Sequence, residues 1–199
     1  MLTGMLLVAS LAGCGAVGGQ SGTKDQGKKE EKVPTMDMQR AGERAEAILD
    51  ATLAAIQPPV KWSYGYPMRE ACSNGLNEPT GTTTINRTRH VLTVISAQRR
   101  GNLLGVVQRY WEQQGFTVES VNPDKDMPSI RAKSPDGFGV DLGVGSIGNV
   151  HISAGFGCAK DSAMTYPPGT PGQPGGPKEE ELRPRDHSDF WSSTEPLQQ

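Results

Sequence analysis

From Phe116 onward the apolar residues of this chain recur at every second position, and that change of period limits the folds open to it. Phe116 and Val118 begin one extended run, Ile130 and Ala132 a second. Phe138, Val140, Leu142 and Val144 form a third, and Val150, Ile152, Ala154 and Phe156 a fourth. Period two places alternate side chains on one face, which predicts half-buried strands. Pro135-Asp136-Gly137 is a turn signal, and strands joined by such short turns pair antiparallel. A sheet built this way needs cover on its apolar face.

The first half of the chain supplies that cover. Between Asp37 and Gln57, Ala41, Ala45, Ile48, Leu49, Thr52, Leu53 and Ile56 share a helical stripe, while Glu43, Arg44, Glu46 and Asp50 lie off it. Pro58-Pro59 stops this helix. In VKWSYGY the aromatic residues Trp62, Tyr64 and Tyr66 alternate with small polar ones, so a strand with one aromatic face is expected. A loop around Cys72, Gly75 and Pro79 then leads to the β-branched run TTTINRTRHVLTVI, a long strand. Ser96 can cap a second helix, with Leu103, Leu104, Val107, Tyr110 and Trp111 on one face and its end at Gly115. The expectation is an α+β fold over residues 39–160, with two helices packed on one face of a largely antiparallel sheet in the order αββαββββ.

The ends have a different character. Met5 to Ala12 is an apolar run too short to span a bilayer and suited to a signal-peptide core. It closes on Leu11-Ala12-Gly13-Cys14, whose resemblance to a bacterial lipobox implies that residues 1–13 are a signal peptide and Cys14 the lipid attachment site. No Lys or Arg precedes the run, which a start codon placed too late would explain. Residues 14–38 have the Gly, Ser and mixed-charge composition of a flexible tether, long enough as a coil to span roughly 25 Å. Residues 161–199 hold seven of the 15 prolines and lack an apolar period, so a disordered Pro/Gly-rich tail is expected, with Phe190-Trp191 a possible docking motif.

Leu11-Ala12-Gly13-Cys14 resembles a bacterial lipobox. In such signals the cysteine thiol is diacylated, and cleavage leaves that cysteine as the first mature residue. The whole layout over residues 1–160 resembles small actinobacterial cell-envelope lipoproteins, the LppA-like group being the nearest. The resemblance implies a lipid-anchored protein on the outer face of the cytoplasmic membrane. An exported chain that has used Cys14 is expected to join Cys72 to Cys158. Closing so long a loop contributes about 4 kcal/mol in the chain-entropy picture. Cys158 shares the parity of Ile152 and Phe156 and so should point into the core. A zinc site on the two cysteines finds no C-x-x-C or H-x-x-H spacing to support it.

GVGSIGNV, residues 143–150, matches the glycine-rich loop of protein kinases. V-A-I-K, H-R-D and D-F-G are all missing, and a strand follows the glycines where a dinucleotide fold needs a helix. A structural hairpin is expected, with Gly139 and Gly143 smoothing its outer face for the approach of another group. Asn122, Asp124 and Asp126 imitate the start of a calcium loop, but Met127 replaces the glycine and Lys133 stands at the twelfth position. His90 and His151 read as solvated side chains, and His187 lies beside Asp186 and Ser188 in the tail, where a triad cannot hold its geometry. No catalytic residue, metal site or cofactor is therefore expected.

A net charge of −2 argues against a nucleic-acid partner, and the broken motifs against a nucleotide. Yet from Pro79 to Trp111 there is no Asp or Glu, while five arginines occur. Arg87 and Arg89 on the long strand, with Arg99 and Arg100 on the second helix, are the candidate anion-binding patch, for anionic phospholipid or a wall polymer. The function expected is a non-catalytic binding or assembly module of the envelope, with an envelope protein as a further possible partner. The competing reading is a small envelope hydrolase whose site has no sequence signature. A stacking platform for sugars on Trp62, Tyr64 and Tyr66 competes with core packing of the same rings.

Overall fold

The structure is a computed structural model in which residues 36–196 are described. Cys14, the signal peptide 1–13 and the tether up to residue 35 lie outside the described residues. Two helices, α1 (Met38–Ala54) and α2 (Ala97–Gln113), accompany seven strands: β1 (Trp62–Tyr64), β2 (Met68–Ser73), β3 (Pro79–Val91), β4 (Thr117–Asn122), β5 (Ser129–Lys133), β6 (Gly139–Val144) and β7 (Val150–Lys160). The strands form one antiparallel sheet in the order β1-β3-β7-β6-β5-β4, with β2 pairing beside β1 along the same side of β3. The fold is α+β, as the change of period implies. No helix among the described residues is long and apolar enough to cross a membrane.

Both helices lie on one face of the sheet and build a single core. From α1 the buried side chains are Met38, Ala41, Ala45, Ile48, Leu49 and Leu53, and from α2 they are Leu103, Leu104, Val107 and Trp111. They meet Ile130, Val140, Leu142, Val150 and Ile152 of the strands. The Trp111 indole donates to Thr52 Oγ1 at 3.0 Å, so the one polar atom of this large ring is satisfied inside the core. Gly115 ends α2 at a φ of 78°, a conformation open to glycine. The α1 helix starts where the periodicity places it, with Asp37 as its N-cap accepting from Arg40 N, and Met36 O accepts from Lys160 N.

Three further features depart from the sequence reading. The segment around Cys72 is a strand, β2, forming a hairpin with β3. Its side chains are mostly exposed, so it lacks the apolar alternation that betrays a strand. Cys72 and Cys158 are joined, with Cα atoms 5.9 Å apart, but Cys158 is exposed and not in the core. A bulge is the reason: between Ile85 and Thr83 of β3, β7 runs from Phe156 to Ala159, one residue longer. The extra residue shifts the parity, so Ala159 is buried and Cys158 turns outward at a φ of 52°. The bond passes Thr84, whose Oγ1 lies 3.5 Å from Cys72 Sγ and accepts from Cys158 N, and so ties the strands on either side of β3.

The third departure is the tail. Residues 161–196 are an ordered strap rather than a disordered segment. Gln39 pairs with Thr165 through two hydrogen bonds, and the Tyr166 ring lies over Arg87. Gly169 and Gly172 then pass the rings of Tyr64 and Tyr66. After a 3-10 turn at Glu179–Leu182, the backbone of Arg185 and Asp186 bonds to Leu92 O, and Val94 N bonds to Asp186 O. Trp191 ends the run completely buried, its indole donating to Pro58 O at 2.6 Å. The strap thus rounds the β1 side of the sheet, where an uncovered edge would invite another chain.

Candidate functional site

The four arginines singled out in the sequence do not form a surface patch. Arg87 and Arg89 alternate with Ile85 and Val91 on the helix-facing side of β3, where they are 3% and 0% exposed. Arg89 Nη2 donates to Glu46 Oε2 and, at 2.8 Å, to Asp50 Oδ1, while Arg87 Nε lies 3.2 Å from Glu46 Oε1. The carboxylates come from α1, one turn apart on the side of the stripe next to β3. Arg99 is 5% exposed; its Nε donates to Phe190 O and its guanidinium lies over the Phe190 ring. Arg100 donates to Asp126 O in the β4–β5 turn. Burial lowers the Arg87 pKa, against the raising effect of Glu46 and Tyr166.

Trp62 and Tyr64 belong to the same arrangement. Their rings stand 4.8 and 4.3 Å from the Arg89 guanidinium carbon, so this half of the aromatic row holds an internal cation and offers no stacking platform. Tyr66 is the exception, 46% exposed and turned to the other side of the sheet.

Neither α1 nor α2 lies on that other side. Register places Thr88, Ser153, Asp141 and Arg131 in one row across β3, β7, β6 and β5, and His90, His151, Gly143 and Ser129 in the next. The two histidines are direct cross-strand partners. Each ring rests against a glycine: a Cβ at Gly143 would come within 2.9 Å of the His151 ring, and one at Gly65 within 3.0 Å of His90 Nε2. The smooth outer face expected at Gly143 therefore serves the protein's own imidazole. His151 Nε2 stands 3.8 Å from Asp141 Oδ2. GVGSIGNV forms the β6–β7 hairpin, closed by Gly145 N donating to Asn149 O, with Gly148 at a φ of 80°. Asp124 accepts from the backbone of Met127 and Asp126, which lowers its pKa and makes the calcium-like segment a self-contained turn. Among the described residues no three His, Cys, Asp or Glu side chains converge as a metal set.

Burial lowers the His90 pKa, and the neighbouring His151 lowers it further. The unfolded chain, with an ordinary value near 6.5, takes up this proton first as pH falls. Stability from His90 is therefore complete above about pH 6.5 and is lost as pH drops below it. Denaturant titrations at pH 7 and pH 5 should show a loss that shrinks in His90→Gln. An unchanged slope in the variant would remove His90 as its source.

Cavities flank the histidine pair. One, of about 480 Å³, holds Tyr66, His90 and Asn149 together with Glu179 and Arg183 of the strap. Another, of about 440 Å³, lies over Arg131, Asp141 and His151. The sequence treated both histidines as isolated solvated groups. Their juxtaposition depends on the β3–β7 register, which joins strands some 60 residues apart, and no local spacing records it.

No known family model matches the chain, and no curated protein matches it. Among solved structures it is similar to a DUF4853 family protein from Actinomyces odontolyticus ATCC 17982, with 13% identity and a TM-score of 0.40 over 77% of this chain and 82% of that one.

Proposed function

We propose that the protein is a lipid-anchored, extracytoplasmic binding module that presents the face of its sheet opposite α1 and α2 to a partner in the cell envelope. The observation that carries this reading is the division of the sheet. One face is filled by α1, α2 and the buried Arg87–Arg89 network, while the other displays Thr88, His90, His151, Asp141 and Arg131. Polar side chains in rows on a rigid sheet suit recognition, because the scaffold fixes their spacing before a ligand arrives. The Cys72–Cys158 bond supports an oxidising compartment, and the lipobox-like Leu11-Ala12-Gly13-Cys14 supplies the anchor. Two acyl chains give a hold on the membrane that one alone does not.

Growth with an alkyne-tagged fatty acid should label the wild type and leave Cys14→Ala unlabelled, with the variant absent from the mature membrane fraction. Label retained in Cys14→Ala, or absent from the wild type, would remove the anchor from this reading.

A further inference from the structure

The cavity between the strap and the open sheet face differs in its chemistry from those beside α1. The pockets beside α1 are lined by groups already spent on internal pairs, Arg44 with Asp136 and Arg87 with Glu46. Here the polar side chains of Tyr66, His90, Asn149, Glu179 and Arg183 have no internal hydrogen-bond partner among the described residues. Glu179 and Arg183 lie four residues apart on the strap and make no ion pair with each other. Donors and acceptors of both signs are therefore directed at one space of about 480 Å³, within the range of small-ligand sites.

We propose that this cavity binds one unit of an acidic glycan, a sugar carrying a carboxylate. Gly172 covers one side of the Tyr66 ring, and the remaining exposed part is a flat apolar surface for the C–H face of a pyranose. Arg183 offers a forked donor to the carboxylate, and Glu179 accepts from hydroxyls. Asn149 donates and accepts at once. His90, held neutral at pH 7 by burial and by His151, does the same. Ile147 and Leu182 close the rim with apolar contact. The strap is anchored by the buried Leu182, between Glu179 and Arg183, and just beyond them by the bonds of Arg185 and Asp186 to Leu92 O, which positions Arg183 in advance. His90 lies on a strand paired on both sides, so an extended peptide finds no open ladder to join there.

This gives the binding module a ligand class and rests on that reading, but the test uses purified full-length protein in detergent and is blind to acylation of Cys14. The two can therefore fail separately. The probes are a galacturonic acid trimer, a neutral N-acetylglucosamine trimer and an acidic tetrapeptide, titrated calorimetrically. The uronic acid trimer should bind most tightly. Tyr66→Ala should weaken it about tenfold, and Arg183→Gln should weaken it by a similar factor while leaving the neutral trimer unaffected. Both side chains are exposed, so both variants should keep the wild-type melting temperature. No binding of the uronic acid trimer, equal binding by Tyr66→Ala, or tighter binding of the neutral trimer or the tetrapeptide would each overturn the proposal.

Discussion

Trp191→Ala lowers the stability of the protein by about 3–5 kcal/mol, the range for emptying a buried tryptophan site. The side chain is completely buried, and its loss also leaves Pro58 O without the indole donor that reaches it at 2.6 Å. In a domain of this size each kcal/mol moves the melting temperature by about 2–4 °C, so a fall of about 10 °C is expected. Truncation before Arg183 should be worse, because it also removes the bonds of Arg185 and Asp186 to Leu92 O and of Ser96 N to Trp191 O. With total stabilities of about 5–15 kcal/mol, the truncated chain should be largely unfolded at 37 °C. Lys61→Ala is the control: its bond to Asp186 is made by a lysine whose side chain is 73% exposed, so the loss should stay below about 1 kcal/mol. Thermal scans of the three proteins decide the point. A Trp191→Ala midpoint within a degree or two of wild type would return the strap to the status of a loose tail.

The strap shows where composition misleads. Seven prolines and scattered glycines suppress every periodic signal, yet this segment orders with no regular structure beyond the 3-10 turn at Glu179–Leu182. It does so by placing single anchors, Leu182 and Trp191, in sites that the rest of the fold prepares. One tryptophan in a polar context gives no period to read. The two helices and strands β5 to β7 were legible because each presents a repeated apolar face, whereas β4, with five of its six residues exposed, was found only from Phe116 and Val118. Strand β2 was not, because an exposed strand at the side of a sheet has no face to bury. Cys158 was assigned the wrong side by counting parity across a bulge that only the β3 register reveals.

The arginines carried a signal that could have been read. Arg87 and Arg89 sit between Ile85 and Val91 in strict alternation, which assigns them to the apolar face of β3. Buried arginines need carboxylates, and Glu46 and Asp50 stand one turn apart on α1, which precedes the strand. What no spacing could show was which helix face would lie over β3. The nearby carboxylates Glu119, Asp136 and Asp141 were equally available on paper, and the open-face histidine pair depended on the same unseen register.

Arg89→Met, the second large effect, tests whether this network holds α1 on the sheet. The Arg89 side chain has no exposure, and its Nε has no hydrogen-bond partner, so the guanidinium is accommodated through Nη2, an Nη1 bond to Thr88 O and the two rings. Methionine keeps most of the volume and removes the charge, leaving the 13%-exposed Glu46 carboxylate to Arg87 alone. Removing one member of a buried pair costs about 3–5 kcal/mol, against about 1 kcal/mol or less for an exposed one. Arg89→Lys should recover only part of the loss: one ammonium can donate to both Glu46 and Asp50, as the single Nη2 does, but it lacks the planar face that lies over Trp62 and Tyr64. Asp50→Asn, at a carboxylate 53% exposed, should be mild. A double-mutant cycle of Arg89→Met with Glu46→Gln, which keeps an oxygen for Arg87, should show a coupling of about 1–3 kcal/mol. The loss in the single variant should also persist in high salt, because a buried pair is poorly screened, whereas an exposed basic patch would lose its influence. Denaturant titrations at low and high salt measure both quantities. If Arg89→Met stays within about 1 kcal/mol of wild type, the network is not what fixes α1 in place.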